Sequence, residues 1–241
     1  GPTLRDALVA IDDVRTDEHV VALFLRLGPM GSAWGRVGDL REAIQAVRDA
    51  GKPVHCHFET LDNTGYLLAA SVCDRLSITP AGMLDSVGVA AQVFYARSML
   101  ESLGIQADIL QVGTFKGAAE PLTRDAMSEE TRESLGALLD TLQASLVSGI
   151  SGGRHLSEAD AQAALDAGPY DSTSALAAHL VDAVEYDDEA RTHAREAATA
   201  TRNRLVRLGP APEPITLGEI LDALSGTPED EEPEGEHIEL V

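Results

Sequence analysis

"HVVALFLRLGPMGSAWGRVGDLREAIQAVRDAGKPVHCHF", residues 19–58, changes pattern three times within one stretch. Its opening, 19–27, is mostly apolar and of strand length, as a strand buried in a parallel sheet requires. A glycine-rich loop, 28–35, separates it from a helical pattern over 37–50, which Gly51 closes in a C-cap position. Pro53 then opens a second strand, "PVHCHF". Strand, helix and strand in that order predict a βαβ unit with parallel strands.

The alternation continues on both sides. Leu4, Leu8, Ile11 and Val14 recur at helical spacing within 3–17. Downstream, 64–73 reads as helix and 75–80 as strand. A strand follows at 87–94, then a helix at 95–103 ended by Gly104, then a strand at 106–112. The fold class is therefore α/β, with a mostly parallel sheet and flanking helices. From 128 the pattern is helical only. Ser128 suits an N-cap and Glu129 and Glu130 suit a first turn, although Thr131 stands where a strict capping box needs Glu or Gln. Ser157 caps a second helix, and a third runs over about 172–183. The end carries seven acidic residues between 229 and 239, a linker composition, before "HIELV", which reads as the opening of a strand.

Charge narrows the partners. The 241 residues carry a formal net charge of −22, so the basic patch that nucleic acid needs is not provided, and an anionic membrane surface is disfavoured. No run of about eighteen apolar residues occurs. Aromatics are only 4 %, which leaves Ala, Val and Leu to fill the core. Cys56 and Cys73 both lie in apolar runs and read as buried free thiols, with a single disulfide as the alternative. "HCH" at 55–57 invites a metal reading. Alternation along a strand puts His55 and His57 on one face and Cys56 on the other, and no CxxC or HExxH stands elsewhere. No metal and no cofactor is expected.

The cation usage is uneven. Of eighteen Lys and Arg residues only Lys52 and Lys116 are lysines. Arginine serves for solubility or a surface ion pair but cannot give up its proton, whereas a desolvated lysine can. Spacing alone leaves Lys116 as a solvated loop residue. Its context, "VGTFKGAAEPLTRDAMS" (112–128), resembles the lysine-bearing segment of signal peptide peptidase A, the Ser-Lys peptidase family with a Clp-protease/crotonase-like fold. Further matching stretches are "ALVAIDDVRTDEHVVALFLRL", "GKPVHCHFE", "YLLAASVCDRLSITPAG" and "SGGRHLSEADAQAALDAGPYDSTSALAAHLVD". The lysine segment is the most specific of them.

The resemblance implies that Lys116 is the general base for a serine nucleophile. In single-repeat members that serine opens the helix after the "KPV" strand in a Ser-Gly-Gly setting. Here Thr64-Gly65 stands in its place, read as a helix cap or turn and only secondarily as a nucleophile. "GPMGSAWG" likewise lacks the Pro-Gly-Gly oxyanion turn. Two-repeat members explain both departures, because the first repeat supplies the lysine and the second the serine. The chain thus reads as an N-terminal, lysine-bearing repeat over 1–185, a helical extension over 186–226, and an acidic linker with the start of a second repeat over 227–241.

The resemblance further implies peptide substrates such as signal peptide remnants, a homo-oligomer, and a membrane-associated bacterial setting. Two other readings compete: a catalytically silent scaffold subunit of the same fold, and a crotonase-type acyl-CoA enzyme. Glu120 could orient Lys116 or bind a backbone amide, with a solvated carboxylate slightly favoured over either. Trp34 and Tyr170 read as packing residues, Trp34 alternatively as an interface residue.

Overall fold

A computed structural model describes residues 3–110, 112–113 and 116–204. The chain opens with α1 (Leu4–Thr16), capped by a Thr3–Asp6 capping box. The βαβ unit follows: β1 (Leu23–Leu27), α2 (Trp34–Asp49) and β2 (Val54–Asp62). Then come α3 (Asn63–Val72) and β3 (Arg75–Asp85). The three strands pair in parallel in chain order, with Leu25 beside Cys56 and Cys56 beside Leu76.

The far edge of β3 is shared. β4 (Tyr170–Asp171) pairs antiparallel with Met83–Leu84, and β5 (Ala183–Val184) pairs parallel with Ser77–Ile78. The sheet is thus mostly parallel with one short antiparallel partner. α2 and α3 pack on one face of it, and the long α6 (Glu129–Arg154) packs on α3. Ser128 caps α6 and Ser157 caps α7 (Glu158–Ala167), each by accepting a backbone N–H three residues on.

The core lies between the sheet and α2–α3. Val54, Cys56, Phe58, Leu61, Leu76, Ile78 and Leu84 of the strands are buried together with Ile44, Val47, Leu68 and Val72 of the helices. Burying each such side chain stabilises the fold by roughly 1.5–3 kcal/mol. The α3–α6 contact depends on small residues. A β-carbon on Gly153 would stand 1.6 Å from the Ala70 carbonyl oxygen, and one on Gly149 2.2 Å from a Leu67 methyl. Trp34 and Tyr170 both pack against the core.

Several sequence expectations need correction. Residues 87–94 and 106–110 form no strand. Both runs are apolar, but neither pairs with the sheet, whose β3 edge is taken by β4 and β5. They lie at the surface instead, with Phe94 76 % and Leu110 99 % exposed. Between them α4 is only Arg97–Ser102. The third C-terminal helix, α8 (Ser172–Ala177), ends early because His179 turns left-handed (φ 58°), and residues 183–184 return as β5.

The free-thiol reading of the cysteines is also overturned. Cys56 and Cys73 form a disulfide with their Cα atoms 5.8 Å apart. The end of α3 is brought back beside the start of β2, where the Asp74 amide donates to the Val54 carbonyl and the Val54 amide to the Asp74 carboxylate, both at 2.8 Å. That closure sets the two thiols together. Beyond β5, α9 (Asp187–Ala197) buries Ala190 and Ala194. Residues 205–241, including the acidic run and "HIELV", lie outside the described residues.

Candidate active-site segments

β1 and β2 run parallel, so their C-terminal ends open on the same edge, the usual position for a site in an open α/β sheet. The loop 28–31 leaves β1 there, and α3 starts there from β2. Asp62 joins them. As N-cap of α3 its carboxylate accepts the Gly65 amide at 2.9 Å. It also accepts the Met30 amide at 3.0 Å and the Gly31 amide. Burial pushes this carboxyl up, but the amides of Met30, Gly65 and Gly31 with the Thr64 hydroxyl outweigh it and hold it below the usual carboxylate range.

This network decides the status of Thr64. The expected capping role belongs to Asp62, and Thr64 is the second residue of α3. Thr64 is 1 % exposed, and its hydroxyl lies 2.6 Å from the Gly31 carbonyl and 3.2 Å from Asp62. Its proton is committed to acceptors that are not bases for catalysis. Oxyanion stabilisation needs free N–H donors aimed at the developing charge. Here the Met30 and Gly31 donors are already satisfied by a carboxylate. Asp62 was not singled out in the sequence reading, although an Asp directly before a helix that follows a strand is itself an N-cap signal.

Lys116 sits elsewhere, exposed at the start of a 3-10 turn (Gly117–Ala119) that leads into α5 (Glu120–Thr123). The turn is pinned to the first turn of α6. A β-carbon on Gly117 would stand 2.1 Å from the Thr131 hydroxyl oxygen. Glu120 is 6 % exposed, not solvated, and accepts the Ser128 amide at 3.0 Å, the Ser128 hydroxyl, and the Thr131 hydroxyl at 2.9 Å. The Ser128 hydroxyl and amide hold its carboxyl below the ordinary range. Of the readings considered for Glu120, the backbone-amide one is observed. Ala96 donates to the Pro121 carbonyl at 2.7 Å, and Ser98 bonds Asp125, which ties α4 to the same turn.

The histidines of β2 do face one side. His57 Nδ1 lies 2.9 Å from the Ser77 hydroxyl, which also lies 3.3 Å from the Cys56 carbonyl. Burial pushes both His55 and His57 below the ordinary histidine value. Among the described residues no three His, Cys, Asp or Glu side chains converge as a metal site would need. No helix among them is long and apolar enough to cross a membrane.

Comparison with known proteins supplies what the geometry alone does not. The sequence pattern of peptidase family S49 matches residues 46–201. Over 180 residues the chain is 26 % identical to the serine protease SPPA, chloroplastic, of Arabidopsis thaliana, covering 75 % of this chain and 26 % of that protein. Over 156 residues it is 29 % identical to Protease 4 of Salmonella typhi, covering 64 % and 25 %. The chain thus spans about a quarter of the length of these relatives. Among solved structures, an enoyl-CoA hydratase/isomerase family protein from Silicibacter pomeroyi superposes with a TM-score of 0.41 at 18 % identity, covering 81 % of this chain and 69 % of that one. That superposition is too loose to argue from.

Proposed function

The chain belongs to peptidase family S49, and on that premise we propose that it is the lysine-bearing part of a Ser-Lys endopeptidase of the signal peptide peptidase A type. Lys116 is the general base, and the nucleophilic serine and its oxyanion donors come from a repeat outside these 241 residues. The observation that carries this division is the Asp62 network. It engages the Met30 and Gly31 amides and surrounds the Thr64 hydroxyl with acceptors. No nucleophile or oxyanion hole is then available at the end of β2, and the lysine requires its serine from elsewhere.

The chemistry requires an amine free to lose its proton. A lysine in water titrates near 10.4. Packing the serine-bearing repeat over the turn at 116 would desolvate the ammonium and lower that value. Glu120 lies four residues away, with its oxygens accepting from Ser128 and Thr131; these bonds fix the carboxylate but leave its charge, so desolvation by the packed repeat has to outweigh it. The substrate class is extended peptide, including residual signal peptides. The active form is a homo-oligomer in a membrane-associated setting.

The test is a peptidase assay on the 241-residue chain beside the protein extended by the following repeat. The chain alone should show no turnover, and the extended protein should cleave an apolar peptide. Turnover by residues 1–241 alone would overturn the division of labour. Inactivity of both would favour a silent assembly subunit.

A further inference from the structure

A cleft of about 750 Å³ opens where the C-terminal ends of α2, α3, α6 and α8 meet. Its volume falls within the roughly 300–1,000 Å³ of small-molecule sites. In a chain of net charge −22 its walls carry an unusual concentration of cations and imidazoles: Arg41, Arg48, Arg154, His155 and His179. Two carboxylates also face it, but both are matched. Arg48 pairs with Asp74 at 2.7 Å and Arg154 with Asp182 at 2.6 Å. Arg41 is exposed and has no ion-pair partner among the described residues.

Three residues around the cleft are locally unfavourable choices. Gly152 lies inside α6, where glycine is costly, yet nothing stands within 4 Å of the place its β-carbon would take. Packing demands glycine at 149 and 153 but not at 152. His155 (φ 55°) and His179 (φ 58°) both adopt the left-handed conformation at a helix end, where glycine is the ordinary residue. Departures from local preference that gather at one place mark functional sites.

We propose that this cleft binds a small polyanion, a molecule carrying two or more carboxylate or phosphate groups, held by Arg41, His155 and His179 over the floor that Gly152 leaves open. The carbonyl ends of α2, α3, α6 and α8 all oppose an anion here. The Arg154 guanidinium offsets part of this by donating to the His179 carbonyl beyond α8 at 3.2 Å. The site involves neither Lys116 nor the 28–31 loop, so it stands independently of the peptidase reading.

The experiment is calorimetric titration of the intact chain with pyrophosphate and, separately, citrate. It is repeated on Arg41→Ala and Gly152→Leu, with circular dichroism to verify folding. At least one anion should bind saturably, one per chain, and the better of the two identifies phosphate or carboxylate as the preferred group. Arg41→Ala should weaken binding about tenfold, the loss of one charge-assisted contact. Gly152→Leu should abolish it. Absence of saturable binding at millimolar anion would overturn the proposal, as would unchanged affinity in either folded variant. If Gly152→Leu does not fold, Arg41→Ala decides alone.

Discussion

The Met30 amide donates to the Asp62 carboxylate at 3.0 Å across 32 residues of sequence. One side chain thereby caps α3, closes the loop after β1 and consumes the donors that an oxyanion hole would need. Asp62→Ala should therefore act on stability rather than on catalysis by this chain. Losing an N-cap costs about 0.5–2 kcal/mol, and amides left without a partner add to it. Thermal unfolding should show a clear drop in midpoint, and the amides of Met30 and Gly31 should exchange faster. An unchanged midpoint would mean that the loop is held by other contacts.

The disulfide closes a loop with a sequence separation of 17 residues between Cys56 and Cys73. A closure of that size stabilises by about 3 kcal/mol in the chain-entropy description. The Cys56→Ser, Cys73→Ser double variant should lower the unfolding midpoint. Thiol titration of the denatured, unreduced protein should find no free thiol. Two titratable thiols would restore the free-cysteine reading.

Gly153 is fixed by packing. Its β-carbon would meet the Ala70 carbonyl oxygen at 1.6 Å, and backbone cannot move aside as a side chain can. Gly153→Ala, normally favourable inside a helix, should instead destabilise by about 1–3 kcal/mol because α3 and α6 must separate. A stabilised Gly153→Ala protein would contradict the α3–α6 contact.

Stability should also depend on pH through His55 and His57. Burial lowers both, so the folded state keeps them neutral while the unfolded chain takes up protons from its ordinary value near 6.5 downward. His55 is faced by Arg75, Asp74 and Glu185, and His57 by Asp187, Glu185, Arg26 and Glu59. Their stabilisation is complete above about pH 6.5 and is lost as pH falls below it. The unfolding midpoint should decline as pH falls below about 6.5, and His55→Leu should flatten part of that slope. A midpoint that rises on acidification over this window would contradict the assignment.

Much of the fold was legible in residues 19–58, because the change of period from strand to helix and back has one packing solution. The caps at Ser128 and Ser157 were legible for the same local reason. The apolar runs at 87–94 and 106–112 misled, since a strand needs a neighbour and composition does not say whether an edge is free. The Cys56–Cys73 bridge was not legible either, because it depends on how α3 returns over β2. The general-base expectation for Lys116 rests on family context and on nothing in its own spacing. The N-cap role of Asp62 has a local signal, but its bonds to the Met30 and Gly31 amides depend on how the loop after β1 meets the start of α3.

On the proposed reading Lys116 serves as a base and not as a surface charge. The most direct test measures peptide cleavage by the protein extended through the following repeat, with Lys116→Ala and Lys116→Arg. Surface substitutions usually shift stability by less than about 0.5 kcal/mol, so both variants should keep the parent's unfolding midpoint. Both should lose activity by about a hundredfold or more, the usual scale of general-base catalysis, because arginine keeps the charge but cannot accept a proton. Full activity in Lys116→Arg would show that only a positive charge is needed at 116, and the general-base account would fall.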